Sequence, residues 1–243
     1  MTRCTRITSA LIFVIAMSFS SSAQVSDNTT SGLHPIAVPV SDPLPLPDAT
    51  IGSIPYTLKR GDNEFGFWGG VSFKATTIFA GLRNDEAAHR KFVVAAFRYG
   101  RTLAANNSVA LQYTLDVIPL AVATGVIVSR TTVGSVTTFR RETAYGAGLT
   151  PLALQLDFAN GSKVHPFVHV NGGFLIFNKS VPIEDSGKFA FVGEAGTGVR
   201  IFTSDRRAVT LGVRFHHISN GNTSGSNRGL NQFIFYAGFS VFK

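Results

Sequence analysis

The chain closes on the stretch Gln-Phe-Ile-Phe-Tyr-Ala-Gly-Phe-Ser-Val-Phe at residues 232–242. Side chains in an extended strand point alternately to its two faces. One face of this stretch then carries Phe233, Phe235 and Phe239, whereas Gln232 and Ser240 lie on the other face. An alternation with a period of two indicates a β-strand with an apolar environment on one side only.

Seven further segments upstream have the same character, and residues typical of turns separate them. The eight segments cover residues 64–74, 90–103, 108–120, 144–158, 163–177, 187–202, 208–219 and 230–242. Eight is the smallest usual number of strands in a closed transmembrane barrel. The stretch 124–142 between two of them fits either a long loop or a strand extension. We therefore predict an all-β fold, an eight-stranded antiparallel transmembrane β-barrel of the outer-membrane type, over residues 61–243.

A soluble β-sandwich also alternates with a period of two, and pattern alone leaves it open. The polar faces of the segments favour the barrel, because their charged side chains could pair inside a narrow barrel. These charged side chains are Arg98, Asp116, Glu194, Arg200 and Arg214. In addition, Phe242 as the next-to-last residue resembles the C-terminal signal of bacterial outer-membrane barrels, although Lys243 follows it.

The N-terminus has the three parts of a secretory signal peptide over residues 1–23, with cleavage expected after Ala23. Its apolar stretch, residues 10–19, is too short for a stable membrane-spanning helix, so a retained anchor is the less favoured alternative. The single cysteine, Cys4, would be lost on cleavage, which excludes disulfides and thiolate ligands in the mature chain. Residues 24–60 are rich in proline and predict a flexible lead-in.

The net charge of +8 becomes +6 when Arg3 and Arg6 are subtracted with the signal peptide. A basic exterior suits an anionic surface such as a phosphorylated glycolipid. Nucleic acid is not an expected partner, because the basic residues are scattered and form no stripe. No metal and no cofactor are expected, since His165 and His169 are too far apart on one strand to share a metal without a third ligand. A homodimer is compatible with the sequence.

The residues best suited to catalysis lie in the next-to-last segment. His217 and Ser219 are two apart on a strand, so both point to the outward face, about 7 Å from each other. If Ser219 pairs with Asn231 on the last strand, His217 pairs with Phe233, and Asn231 lies diagonally from His217. The three polar side chains would then supply a nucleophile, a base and an orienting residue.

Two other polar residues, His216 and Glu194, are expected to have structural roles. His216 points away from His217, into the barrel. Glu194 is expected to pair with Arg200 or Arg214, because a barrel of eight strands is filled with side chains.

The segment His217-Ile218-Ser219-Asn220 resembles the His-x-Ser-Asn signature of the lipid A 3-O-deacylase family (PagL, also labelled acyloxyacyl hydrolase), which are small outer-membrane barrels. The resemblance implies that Ser219 is the nucleophile and His217 the general base, with Asn220, Gly221 and nearby backbone amides as the oxyanion hole. It implies hydrolysis of an ester-linked acyl chain of lipid A, a lipopolysaccharide component, in the bacterial outer membrane. The third catalytic residue of the family is a glutamate, and Asn231 stands at the matching position.

An asparagine can accept the imidazole N–H and hold a tautomer, but it adds no negative charge to stabilise an imidazolium. The alternatives are therefore an inactive relative of the deacylase and a non-catalytic structural or adhesive barrel. A soluble periplasmic β-protein is a third alternative.

Overall fold

The structure, a computed structural model, describes residues 57–76, 78, 89–130 and 137–243, with the side chains of 128–130 and 137–139 excepted. The predicted signal peptide and most of the predicted lead-in lie outside the described residues, as do residues 131–136. The strands are β1 (Asn63–Ser72), β2 (Ala75–Thr76), β3 (Lys91–Ala105), β4 (Val109–Arg130), β5 (Thr137–Phe158), β6 (Val164–Phe177), β7 (Phe189–Ser204), β8 (Arg207–Ser219) and β9 (Leu230–Phe242).

All neighbouring strands pair antiparallel in the order β1-β3-β4-β5-β6-β7-β8-β9, and β9 pairs back with β1. The short strand β2 continues the β1 position, because it pairs with the same edge of β9. The sheet is thus a closed barrel of eight strand positions, as predicted. Closure excludes the β-sandwich, in which two separate sheets would face each other.

The stretch 124–142 is a strand extension in its described part, because β4 runs to Arg130 and β5 begins at Thr137. The connections at residues 106–108, 159–163 and 205–206 are short and share one end of the barrel, here called the turn end. The connections at 178–188 and 220–229 are longer and share the opposite end, here called the loop end. In outer-membrane barrels the short turns face the periplasm and the longer loops face outward.

The barrel interior contains a network of paired charges. Arg98 donates to both carboxylate oxygens of Asp116 at 2.8 Å, and Arg214 contacts Glu194 at 2.8 Å. Arg200 contacts Asp157 and Glu64, each at 2.9 Å. The predicted interior network is confirmed, and Glu194 pairs with Arg214 and not with Arg200. Pairing is essential here, because an unpaired buried charge is strongly destabilising.

Aromatic rings and histidines complete the filling. The guanidinium carbon of Arg214 lies 3.9 Å from the ring centre of Trp68 and 4.2 Å from that of Tyr236, a cation–π arrangement. His165 and His169 are both buried in the barrel. His216 also points inward, as predicted, with Nδ1 2.7 Å from a Glu194 oxygen. In the part of the chain that the structure describes, charged, aromatic and histidine side chains thus occupy the lumen, as is usual for a barrel of eight strands.

The outer wall is apolar and exposed. Leu152 is 75% exposed, Phe97 63% and Phe235 57%. Large apolar side chains spread over a whole outer surface are costly in water and favourable in a bilayer. Among the residues that the structure describes, no helix has the length and hydrophobicity to cross a bilayer.

The last residues of the predicted 24–60 lead-in contact the barrel. Leu58 is buried, its backbone N–H donates to Asn160 Oδ1 at 2.8 Å, and Asn160 Nδ2 donates to the Leu58 carbonyl at 2.9 Å. The Leu58 side chain belongs to a small apolar cluster at the turn end that also contains Phe202 and Phe242. Residues before position 61 therefore also contact the barrel.

Candidate active site

His217 and Ser219 lie on the outward face of β8, as the strand parity predicts. The residues that alternate with them, His216 and Ile218, are buried in the interior, whereas His217 and Ser219 are half-exposed. Ser219 is the last residue of β8, so the pair lies at the loop end, where the apolar wall meets the longer connections.

The pairing of β8 with β9 differs from the predicted one by two residues. His217 lies directly opposite Asn231, and Phe215 lies opposite Phe233, so Ser219 does not pair with Asn231. A shift of two residues leaves every side chain on its predicted face, so alternation alone cannot distinguish the two registers. In the observed register, Asn231 lies closer to His217 than it would in the predicted diagonal arrangement.

Asn231 orients the imidazole of His217. The Oδ1 atom of Asn231 lies 2.5 Å from His217 Nδ1, and its Nδ2 donates to the backbone carbonyl of Ile78 at 2.6 Å. An amide group that donates through its nitrogen to Ile78 presents its oxygen to His217, and that oxygen can only accept. The hydrogen of the neutral imidazole therefore lies on Nδ1, which leaves the lone pair on Nε2 available to accept a proton.

The hydroxyl of Ser219 makes no hydrogen bond within the described part of the chain, to His217 or to any other group. Contacts between nucleophile and base are often long before substrate binds, so this separation does not exclude the pair. The attack geometry would require the Ser219 side chain to turn towards His217 Nε2.

The side chain of Asn220 holds two loops together. Its Nδ2 donates to the carbonyls of Ser186 at 2.8 Å and Ser226 at 2.9 Å, and its Oδ1 accepts from the Asn222 backbone N–H at 2.9 Å. Both N–H bonds of the amide are used, so the predicted oxyanion role of the Asn220 side chain does not fit this geometry. For backbone amides, including that of Gly221, which has a φ of 61°, the role stays a prediction.

Two glycines leave a gap in the outer wall beside His217. Gly193 on β7 lies opposite His217, and Gly172 on β6 lies opposite Gly193. A Cβ atom added at Gly193 would meet no heavy atom within 4 Å, and one at Gly172 would touch only Leu152, at 3.7 Å. We call these two positions the glycine gap. The exposed Leu152 lies at its far end on β5.

Aromatic residues border the glycine gap. On the loop side of the gap, Phe174 pairs with Phe191, which in turn pairs with Ser219. On the other side, Ala195 pairs with Phe215. The gap therefore spans two strands, from Leu152 to His217, and apolar side chains border it.

Several of these residues could not be identified from spacing. Ile78 acts through its carbonyl, which any residue carries. Gly229 allows the imidazole to approach, because a Cβ there would lie 2.7 Å from His217 Cε1. A glycine within a strand indicates that another group approaches the backbone closely or that space is left open there. The sequence does not identify the neighbouring group. In the described residues, no three His, Cys, Asp or Glu side chains are grouped to hold a metal ion.

Comparison with known proteins gives a family match. The sequence profile described as lipid A 3-O-deacylase (PagL) matches residues 103–240, more than half of the chain and including His217 and Ser219. Curated protein sequences give no significant match. The homodimer gains no support from these comparisons.

Solved structures with similar folds are outer-membrane barrels of low sequence identity. The outer-membrane enzyme PagL is 14% identical with a TM-score of 0.45, and the match covers 72% of this chain and 97% of that one. Neisserial surface protein A is 13% identical with a TM-score of 0.43, covering 74% and 96%. OprG from Pseudomonas aeruginosa is 11% identical with a TM-score of 0.41, covering 77% and 98%.

The profile match over residues 103–240 and the closed eight-stranded sheet together assign the family. The chain belongs to the lipid A 3-O-deacylase (PagL) family and is an outer-membrane β-barrel of bacteria.

Proposed function

We propose that this protein is a serine esterase that removes an ester-linked acyl chain from lipid A. The observation that carries the proposal is the orientation of His217. Its Nδ1 contacts Asn231, and His217 itself lies on the lipid-facing wall, two residues before Ser219 on the same strand. The family match supplies the substrate class. One barrel contains all three side chains, so the reaction needs no second copy, and the homodimer stays a prediction.

The reaction follows from the arrangement of the three groups. Ser219 Oγ attacks the acyl carbonyl while His217 Nε2 accepts the hydroxyl proton. The imidazolium then donates this proton to the leaving sugar oxygen as the carbon–oxygen bond of the ester breaks. Water, activated by His217, hydrolyses the acyl-enzyme, which releases the fatty acid and regenerates the serine.

The tetrahedral intermediate needs hydrogen-bond donors for its oxyanion. Because the Asn220 side chain is bound to Ser186 and Ser226, backbone amides at residues 220–221 are the proposed donors. Asn220 then contributes by holding the loop that carries those amides.

The glycine gap supports an acyl ester as substrate. Acyl chains lie in the membrane, and the interior of this barrel is filled by paired charges, so the ester must approach from outside. The gap at Gly172 and Gly193 leaves space for an apolar chain that reaches the wall at His217.

The direct test is product analysis. The purified full-length protein, folded in detergent, is incubated with lipopolysaccharide, and the lipid A is then weighed by mass spectrometry. We expect the loss of the mass of one acyl chain and the appearance of one free fatty acid; protein unfolded by heat is the control. Lipid A of unchanged mass would favour the alternative, an inactive relative, for which the asparagine at position 231 is the specific observation.

The Asn231→Glu variant is expected to hydrolyse lipid A at least about tenfold faster than wild type. A carboxylate would add the negative charge that stabilises the imidazolium, which the neutral amide oxygen of Asn231 does not supply. The opposing cost is one of stability, because a carboxylate cannot donate to the Ile78 carbonyl, and leaving that acceptor without its partner costs about 1–3 kcal/mol. Initial rates of fatty acid release measure the difference. Equal rates for wild type and Asn231→Glu would show that residue 231 takes no part in catalysis.

A further inference from the structure

A second feature of the outer wall lies on the side of the barrel away from Ser219. A pocket of about 300 Å³ at the loop end is lined by His89, Lys91, Thr124, Gly125, Val126 and Arg141. His89 precedes β3, Lys91 is the first residue of β3, and the other residues come from β4 and β5. Around the closed sheet, β4 is four strands from β8 in either direction, so the pocket is on the wall opposite the candidate active site.

The pocket places two cations on the same outward face. Lys91 pairs with Thr124 on β4, and Arg141 pairs with Val126 two residues further along the same strand. Two strand spacings, about 10 Å, separate β3 from β5. Lysine and arginine side chains are long enough to converge across that distance on one anionic group.

Neither cation has an acidic partner within the described residues. The neighbouring Arg140 differs, because it contacts Glu142 at 2.8 Å and Glu184 at 2.7 Å. Glu142 also lies near Arg90, so its carboxylate is directed at other cations. The side chains of Lys91 and Arg141 are exposed and accessible to an external anion.

The height of the pocket on the wall indicates what kind of anion reaches it. On the outward face of β3, Val93 follows Lys91 and is 41% exposed; on β5, Thr143 follows Arg141, and the next outward residue is Tyr145, 55% exposed. The cations thus lie at the upper border of the apolar wall, at the level of lipid headgroups in the outward leaflet. An arginine can bind a phosphate group through two parallel hydrogen bonds, and lysine adds a point charge.

We propose that Lys91 and Arg141 form a second lipid A site, which binds a phosphate group of a lipid A molecule on the wall opposite the active site. This molecule is held as a neighbour in the membrane and is not the one being hydrolysed. The proposal depends on the outer-membrane location of the barrel and does not depend on catalysis at Ser219.

The test counts lipids bound to the full-length barrel by native mass spectrometry, in the Ser219→Ala background so that no lipid is consumed. With diphosphorylated lipid A as the probe, adding Lys91→Ala and Arg141→Ala should remove one bound lipid, lowering its occupancy about tenfold. The matched control adds Arg101→Ala and Lys163→Ala, which remove two exposed cations at the turn end and should leave the count unchanged. An equal count in both variants would overturn the proposal.

Two further probes identify the ligand. Lipid A without phosphates should bind in equal number to the variant that lacks Lys91 and Arg141 and to the control variant. If the control variant binds one more of these lipids, the proposed phosphate contact is wrong. Inorganic phosphate at the concentration of the lipid should not displace the additional lipid. Displacement would show that the pocket takes free phosphate and would also overturn the proposal.

Discussion

Replacing Ser219 with alanine is expected to lower the rate of lipid A deacylation by on the order of 10³-fold or more, with the barrel still folded. The proposed reaction forms a covalent bond to Ser219 Oγ, and removing the nucleophile of a serine hydrolase leaves only the weak effect of binding and oxyanion stabilisation. The hydroxyl makes no hydrogen bond in the described part of the chain, so its loss costs no fold contact. Fatty acid release from lipopolysaccharide measures the rate, and heat-dependent gel mobility verifies the fold.

Ser224→Ala is the matched control, because it removes an exposed hydroxyl from the loop that follows Ser219. It should retain the wild-type rate. His217→Ala should be as slow as Ser219→Ala, and the double variant no slower than either, since residues that act as one unit are not additive. A Ser219→Ala protein that still releases fatty acid at the wild-type rate would exclude Ser219 as the nucleophile.

Gly193→Leu is expected to slow lipid A deacylation about 100-fold without reducing the stability of the barrel. A Cβ at this position meets no heavy atom within 4 Å, and the added side chain faces the apolar surroundings. The leucine would fill the glycine gap next to His217, so the ester carbonyl could not reach its position. Displacements of about 1 Å from the attack geometry can cost about 10²-fold in rate.

Gly69→Leu provides the comparison, because Gly69 also lies on the outward face with space for a side chain: an added Cβ would touch only the Val94 carbonyl, at 3.6 Å. Gly69 lies on β1, which is separated from β8 by β9. This variant should keep the wild-type rate. Equal rates in the two leucine variants would show that the acyl chain does not use the glycine gap.

A short, water-soluble ester distinguishes a filled gap from a damaged catalytic group. Its acyl chain does not extend into the glycine gap, so Gly193→Leu should hydrolyse it nearly as fast as wild type. Ser219→Ala should fail on both substrates.

The strand positions and faces of this protein could be predicted because both depend on local alternation. Charged residues at inward positions, such as Arg98 and Asp116, indicated a paired interior, and the structure joins these two directly. The segment containing His217 and Ser219 was predicted on the outward face for the same local reason, and both side chains are there.

Local alternation does not determine which residues pair across neighbouring strands. The predicted pairing of Ser219 with Asn231 is wrong by two residues, because a pattern with a period of two is unchanged by such a shift. Likewise, only the folded chain brings the Ile78 carbonyl to Asn231 and the Ser186 carbonyl to Asn220. These contacts join residues 153 and 34 positions apart, and no local pattern encodes them.

What the sequence by itself determined is therefore the barrel, the outward face of His217 and Ser219, and the family signature, all of which are encoded within single strands. The tertiary structure decided the register, the tautomer of His217, the commitment of the Asn220 side chain and the glycine gap. Each of these depends on contacts between residues of different strands and loops, and these contacts form only when the sheet closes into a barrel.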